Sequence, residues 1–310
     1  MLVDLLLLIA ALVVLAKAAE YAIGRVVVLA RFLRISELAI GFLLVSTATS
    51  LPELAVAVTA SASGETGISV GNVLGANIAD LCLVAGAAAL VGTIIVRKRD
   101  MSDLLKTLFV VGVLSMVVLF PLGRFAGVLL LLAFTAYAVM LLHRRVSENM
   151  DGSRRITRKD ALFAAGGFAL GIALVVVCAN FVVGSAVALA FGLGVSGAFI
   201  GGTIVSIGTT LPELVVSIAA VRKKMPGMAI GNAIGSCIVN LTLVLGAAAA
   251  ITPIHANMFT FLNLAVFTLV SNAVLWMMIR KGTLGKRDGL ALIGIYVLFL
   301  VSALTTELNT

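Results

Sequence analysis

The sequence predicts an all-α polytopic membrane protein, with ten transmembrane helices in two inverted five-helix repeats and proline-broken helices 2 and 7. Three observations predict this fold class. The 310 residues are 62% hydrophobic and only 12% charged, whereas a soluble domain is about 25% charged. Long apolar segments follow one another along the chain. One motif, Thr-Ser/Thr-Leu-Pro-Glu, occurs at residues 49–53 and again at residues 209–213.

The apolar segments predict the spans and the division of the chain. A helix needs about 17–25 residues to cross the hydrocarbon core. Segments long enough to cross lie at 2–28, 36–61, 67–92, 103–121, 123–142, 159–190, 196–220, 226–251, 257–279 and 288–306. A charged stretch separates the fifth from the sixth. We therefore expect a first repeat at 1–142, a linker at 143–158 and a second repeat at 159–310.

Basic residues predict the orientation in the membrane. The odd-numbered loops hold most of the Lys and Arg residues, while the even-numbered loops hold only Arg124. Because Lys and Arg mark the cytoplasmic side, the linker is expected in the cytoplasm of a cell-membrane protein and both termini outside. Five spans per half then invert the second repeat relative to the first, as in many secondary transporters. The net charge of +8 reflects these loops and does not indicate a nucleic-acid partner.

The two halves align without a gap around the repeated motif. Residues 41–80 and 201–240 share 15 identities in 40 positions, each pair 160 residues apart. The identities include Pro52 and Glu53 with Pro212 and Glu213, and the Gly-Asn-x-x-Gly segments at 71–75 and 231–235. A charge and a helix breaker are costly within a membrane span, so their duplication indicates a functional site.

The prolines predict exposed carbonyl groups. Proline has no N–H and clashes with the carbonyl four residues earlier, which belongs to Ala48 in the first copy and Gly208 in the second. We expect carbonyls near 46–49 and 206–209 to leave the helical hydrogen-bond pattern. Such groups are tolerated at membrane depth only inside protein or at a wet cavity, and they are good ligands for Na⁺ and Ca²⁺.

Three acidic residues lie deep in predicted spans: Glu53, Glu213 and Asp80. No Lys or Arg is predicted at that depth, so their counter-charge must be a bound cation or a proton. The position equivalent to Asp80 is Asn240, which makes the site asymmetric. Three ionised carboxylates are neutralised by three monovalent cations, or by one divalent cation and one proton. This arithmetic predicts coupled exchange.

At these residues the chain resembles the cation/calcium exchanger superfamily, most closely prokaryotic sodium/calcium exchangers. The resemblance covers both halves and implies antiport of Na⁺ against Ca²⁺ by alternating access, with both ions as cargo and no prosthetic group. It also implies roles for the repeated positions. Glu53 and Glu213 would form the central site shared by both ions, with backbone and hydroxyl oxygens of Thr49 and Thr209 around it. Flanking Na⁺ sites would be formed by Ser46, Ser206, Ser50, Thr210 and Ser236, while Asn72 and Asn232 would be structural amides and Asp80 and Asn240 would fill a fourth, middle position.

The chain departs from the family pattern at three positions. The family usually has the amide in the first repeat and the acid in the second, whereas this chain has Asp80 in the first and Asn240 in the second. The reversal preserves the charge of the site. Ala76 stands where relatives have a serine, so one flanking site loses a hydroxyl and the Na⁺ stoichiometry is open. Ala48 stands where glycine is usual.

Other functions remain as alternatives to Na⁺/Ca²⁺ antiport. H⁺-coupled exchange of Ca²⁺ or another divalent cation is the main one, because carboxylates bind protons as well as metals. A cation channel needs no duplicated pair of carboxylates. An enzyme is not expected, since neither histidine is placed for a hydrolytic site. The expected partners are Ca²⁺, Na⁺ or H⁺ and the lipid bilayer, with the monomer as the functional unit.

Overall fold

A computed structural model gives the fold of the chain. It describes residues 14, 17–18, 21–26, 28–29, 32, 37–143, 156–191, 196–254 and 258–308. Most of the predicted first span, 2–28, lies outside the described residues. The same is true of 144–155, which make up most of the predicted linker.

The described residues are mainly helical. The helices that we number α1 to α15 are Glu37–Ile40, Ser46–Thr49, Leu51–Ala62, Thr66–Ile78, Ala85–Val91, Lys98–Val117, Arg124–His143, Arg158–Phe191, Gly197–Ile200, Ser206–Thr209, Leu211–Arg222, Pro226–Val239, Leu245–Ile251, Met258–Arg280 and Lys286–Leu308. Two short strands are β1, Ile94–Ile95, and β2, Thr283–Leu284. Six helices among the described residues are long and apolar enough to cross a membrane, or up to seven if the bent pair α1–α3 counts as one span.

π-Helical turns interrupt the helices at equivalent places in the two halves. One pair precedes the Leu-Pro-Glu motifs, at Gly41–Val45 and Gly201–Val205, and the other spans Ala79–Val84 and Asn240–Val244. π-Turns inside α-helices are rare and are frequent at functional sites. The second pair begins beside Asp80 in one half and at Asn240 in the other, so it marks the asymmetric position.

Each Leu-Pro-Glu motif begins a new helix. α2 and α10 end at Thr49 and Thr209, single turn residues follow, and α3 and α11 start at Leu51 and Leu211 with proline in the first turn. Proline is tolerated there because the first N–H groups of a helix have no partner within it. Residues 38–49 and 51–62 meet at an angle of 43°, whereas residues 198–222 count as one span in which Thr210 is a single turn residue. We call residues 37–62 and 197–222 the first and second broken segments.

Each broken segment packs against the glycine-rich helix of the other half. These helices are Thr66–Val91 and Pro226–Ile251. A methyl group added at Gly41 would collide with the backbone of Met228 and Asn232, and one at Gly201 with the backbone of Ile68 and Asn72. The absence of a side chain therefore permits the close approach of two backbones.

Two loop pairings also join the halves. Ile94 and Ile95 pair antiparallel with Leu284 and Thr283, and Leu122 forms an isolated antiparallel bridge with Ile254. Ile94 and Ile254 are equivalent positions, 160 residues apart. Each half thus contributes one loop to each pairing. The described core is built by exchange between the halves, and the site lies where the broken segments meet.

Candidate functional site

The two glutamates of the repeated motif occupy equivalent, buried positions. Glu53 and Glu213 are each 1% exposed and lie in the first turn of the helix that follows the break. The N-terminal end of a helix is electropositive, which favours a carboxylate there. The other predicted site residues on the broken segments are also buried, namely Ser46, Thr49, Ser50, Ser206, Thr209 and Thr210.

Two asparagines connect the broken segments in a crossed arrangement. Asn72 donates from Nδ2 to the backbone oxygen of Glu53, at 3.5 Å, and accepts at Oδ1 from the hydroxyl of Thr209, at 3.1 Å. Asn232 repeats this with Glu213 O, at 3.3 Å, and the hydroxyl of Thr49, at 3.3 Å. Each asparagine therefore holds the glutamate of its own half and the threonine of the other.

The hydroxyl groups around the two carboxylates differ between the halves. Ser50 and Ser236 donate to Oε1 of Glu213, at 3.2 and 3.4 Å. The equivalent of Ser50 is Thr210, whose hydroxyl donates instead to the backbone oxygen of Ser206, at 2.7 Å. The equivalent of Ser236 is Ala76, which has no hydroxyl. Two serines thus contact Glu213, while Glu53 lacks both equivalents.

The serines before each break bond within their own segment. The hydroxyl of Ser46 donates to Phe42 O at 2.6 Å, and that of Ser206 to Gly202 O at 2.8 Å. Their backbone oxygens accept from the N–H groups of Ser50 and Thr210, at 2.9 and 3.0 Å. The expectation that carbonyls of these segments leave the helical pattern is therefore wrong for Ser46 and Ser206, because the N–H groups four residues later still reach them. An ion at either would share an oxygen that is already hydrogen-bonded.

Asp80 and Asn240 lie on the glycine-rich helices, each 1% exposed. Asn240 donates from Nδ2 to Oδ1 of Asn77, at 3.2 Å. Asn77 was not among the predicted site residues, although it follows the Gly-Asn-x-x-Gly-Ala run directly. Its equivalent is Cys237, so the repeat comparison gave no signal there. The Sγ atom of Cys237 itself approaches Asn77 O, at 3.8 Å.

Four buried oxygens from these side chains have no hydrogen-bond donor: Glu53 Oε2, Glu213 Oε2, Asp80 Oδ1 and Asn240 Oδ1. A buried acceptor without a partner costs about 1–3 kcal/mol, and more if it is charged. Among the described residues, none of the three carboxylates forms an ion pair with Lys or Arg. Carboxylate and amide oxygens are ligands for hard cations, so a cation would satisfy these groups.

The carboxylates do not form a compact cluster by themselves. No group of three His, Cys, Asp or Glu side chains within the described part of the chain is placed to hold a metal ion. The ligand set must therefore include neutral oxygens from amides, hydroxyls or the backbone. Mixed oxygen sets of this kind suit Ca²⁺, which accepts six to eight oxygen ligands.

Comparison with known proteins places this chain in a wider group. A protein-family model described as sodium/calcium exchanger protein matches residues 3–143 and 163–305. The sodium/calcium exchanger MaX1 of Methanosarcina acetivorans is 32% identical over 96% of this chain and 98% of its own length. The inner membrane protein YrbG of Escherichia coli is 35% identical over 82% of this chain and 81% of its own.

A solved structure shares the fold. The sodium-calcium exchanger NCX_Mj, soaked with Na⁺ and Sr²⁺, superposes with a TM-score of 0.83 at 26% identity, over 97% of this chain and 99% of its own. The same exchanger soaked with Na⁺ alone gives a TM-score of 0.81 at 27% identity. The similarity spans both halves of the chain.

Proposed function

This chain belongs to the sodium/calcium exchanger protein family, and from that premise we propose that it is a secondary antiporter that exchanges Na⁺ for Ca²⁺. Members of this family are transporters rather than enzymes. The two ions are cargo bound at the site and no prosthetic group is involved. The chain is a multi-pass membrane protein, and the exchange takes place across that membrane by alternating access.

The observation that carries this proposal is the set of four buried oxygens without donors. Three belong to carboxylates and one to an amide. These oxygens would replace the hydration shell that a bound cation loses. The cation would in turn pair with the buried carboxylates and offset the free-energy cost of burying them unpaired. A channel would not need such a trap, because tight binding slows the release of ions.

The proposed roles follow the crossed geometry. Glu53 and Glu213 are the central ligands, and Ca²⁺ and Na⁺ compete for them. The backbone and hydroxyl oxygens of Thr49 and Thr209 complete the central site. Ser50 and Ser236 serve Na⁺ beside Glu213. Further ligands for flanking Na⁺ ions come from Ser46, Ser206 and Thr210, while Asp80 and Asn240 fill the middle position and Asn72 and Asn232 hold the breaks.

Charge sets the coupling. Glu53, Glu213 and Asp80 carry three negative charges when ionised, and three Na⁺ ions neutralise them. One Ca²⁺ ion does so only together with one proton. A site that must be nearly neutral to reorient in the membrane accepts either complete load and rejects a partial one. Coupled exchange follows from that requirement.

We propose ten spans in two inverted repeats for the membrane arrangement. The 160-residue offset, the reciprocal packing of the broken segments and the two crossed loop pairings support it. The distribution of Lys and Arg supports a cytoplasmic linker and extracellular termini. Function as a monomer is part of the same proposal, because one chain supplies both halves of the site.

Uptake of ⁴⁵Ca²⁺ into proteoliposomes tests this function. Vesicles of the purified protein are loaded with Na⁺, K⁺ or choline at a fixed pH and then diluted. Outward Na⁺ gradients are expected to drive uptake, and the other two loads are not. Glu213→Gln serves as the matched inactive control. A further set of vesicles without Na⁺ carries an outward proton gradient, and uptake driven equally well there would replace Na⁺ with H⁺ as the coupling ion.

A further inference from the structure

Asn77 lies at the point where the two halves of the site meet. It is fully buried, on the glycine-rich helix that also carries Asp80. Its equivalent in the other half is Cys237, and the two contact each other through Cys237 Sγ and Asn77 O, at 3.8 Å. Two equivalent positions that touch must lie at the axis relating the halves. Asn77 is thus the single amide at a place where a symmetric site would have two.

The amide of Asn77 accepts the hydrogen bond that holds Asn240 in its observed orientation. Nδ2 of Asn77 is itself buried without a partner, so this orientation is kept as long as Asn77 presents its oxygen to Asn240. Asn240 has one donor group, Nδ2, and one acceptor, Oδ1. Its Nδ2 is occupied by Oδ1 of Asn77, at 3.2 Å. Its Oδ1 has no donor, although it is buried. Because the two ends of the amide are fixed to each other, the bond to Asn77 leaves the oxygen free to accept from a ligand.

The orientation of Asn240 matters for a cation. An amide oxygen attracts a cation, whereas an amide NH₂ group repels it and would instead donate to a neighbouring carboxylate. A free Asn side chain can present either end, since the two differ by a rotation about one terminal bond. Outer-shell partners that fix a ligand in this way typically contribute 10–100-fold to metal affinity.

We propose that Asn77 is a positioning residue that makes Asn240 an oxygen ligand for the transported cation. The proposal rests on the proposed function, because it needs a cation at this site. It adds a residue outside the repeated motif and explains why an amide can stand where the other half has a carboxylate. A carboxylate at position 240 would need no such partner, because both of its ends are oxygens.

Binding measurements on two backgrounds test this role. Titration calorimetry on the purified full chain gives the Kd for Ca²⁺ without Na⁺ and the competition by Na⁺. Asn77→Ala is expected to raise the Ca²⁺ Kd about tenfold. The second background is the double variant Asp80→Asn, Asn240→Asp, which has the same charge. The Kd measured after adding Asn77→Ala to it is compared with the Kd of the double variant itself. There Asn77→Ala is expected to change Kd less than about threefold, because the new carboxylate presents an oxygen in either orientation.

Cys237→Ala is the matched control. It removes a side chain at the same depth that contacts Asn77 but carries no amide, and it should leave the Ca²⁺ Kd within about twofold of wild type, as expected for a buried side chain without a ligand role. Unchanged Kd in Asn77→Ala would overturn the proposal, and so would an equal loss on both backgrounds, which would indicate packing alone. Failure of the unmodified protein to bind either Ca²⁺ or Na⁺ would overturn the proposed function itself and this inference with it.

Discussion

The two carboxylates of the repeated motif have the same backbone environment and different hydroxyl partners. Both begin a helix, and an asparagine of the same half holds each backbone oxygen. Glu213 receives hydrogen bonds from Ser50 and Ser236, whereas the equivalent hydroxyl of Thr210 turns to Ser206 and Ala76 has none. The two halves therefore share a scaffold, while individual side chains make the two sides of the candidate site unequal. Substitutions that remove a contact common to both halves test the shared scaffold. Substitutions that remove a contact present in only one half test the asymmetry.

Loss of either central carboxylate is expected to have the largest effect, and to affect both halves equally. Glu53→Gln and Glu213→Gln each remove one charge and one oxygen ligand. Na⁺-driven ⁴⁵Ca²⁺ uptake should fall more than about 100-fold in both, because loss of an outer-shell partner alone costs 10–100-fold. Wild-type uptake in either variant would remove that glutamate from the site.

Asp80 is the largest difference between the halves and is expected to set the stoichiometry. Asp80→Asn lowers the charge of the site from three to two, so fewer Na⁺ ions should balance one Ca²⁺. The Na⁺ gradient at which a fixed Ca²⁺ gradient gives no net flux reports this ratio. The double variant Asp80→Asn, Asn240→Asp restores the charge and should restore the ratio. An identical ratio in the single variant would disconnect charge from coupling.

The asparagine crossings are shared by both halves but are not equally strong. Asn232 has an additional bond to Ser217 Oγ, at 3.0 Å, which Asn72 lacks because its counterpart residue is Ala57. Asn72→Ala and Asn232→Ala should each destabilise the protein by about 1–3 kcal/mol, with the larger loss at Asn232. Thermal unfolding in detergent measures both, and Ser217→Ala isolates the additional bond. A larger loss at Asn72 would contradict the assignment.

The hydroxyl asymmetry is expected to give the smallest effect. Ser236→Ala should weaken Na⁺ binding about fivefold, which corresponds to about 1 kcal/mol for one lost hydroxyl contact. Ala76→Ser adds the missing hydroxyl on the other side and should strengthen Na⁺ binding by a similar factor. Na⁺ titration against a fixed Ca²⁺ concentration gives both values. If Na⁺ affinity changed in the same direction in Ser236→Ala and Ala76→Ser, the two sides of the site would not differ in the proposed way.

Much of this arrangement is predictable from the sequence because the chain repeats itself. The 160-residue offset pairs Glu53 with Glu213 and Asn72 with Asn232, and each proline lies in the first turn of the helix that its motif begins. The chain belongs to the family that these motifs indicate. The position of the loop pairings did not follow from the sequence, because strands of two residues leave no periodic pattern.

Contacts between the halves were the part that the sequence could not provide. Helical spacing shows which residues of one helix share a face, but it does not show that Ser50 contacts the glutamate of the other half. Asn77 was missed for a related reason. Its equivalent is Cys237, so the repeat does not single it out, and its proposed role depends on a bond to Asn240 across the boundary between the halves.

Competition between the two ions tests the central claim, a single oxygen site that takes Na⁺ or Ca²⁺ but not both. Calorimetric titration of the unmodified protein with Ca²⁺ at increasing Na⁺ concentrations, with choline keeping the ionic strength constant, measures it. The apparent Ca²⁺ Kd should rise with a power of the Na⁺ concentration greater than one, because several Na⁺ ions replace one Ca²⁺. A Ca²⁺ Kd that does not depend on Na⁺ would contradict a shared site and the exchange derived from it.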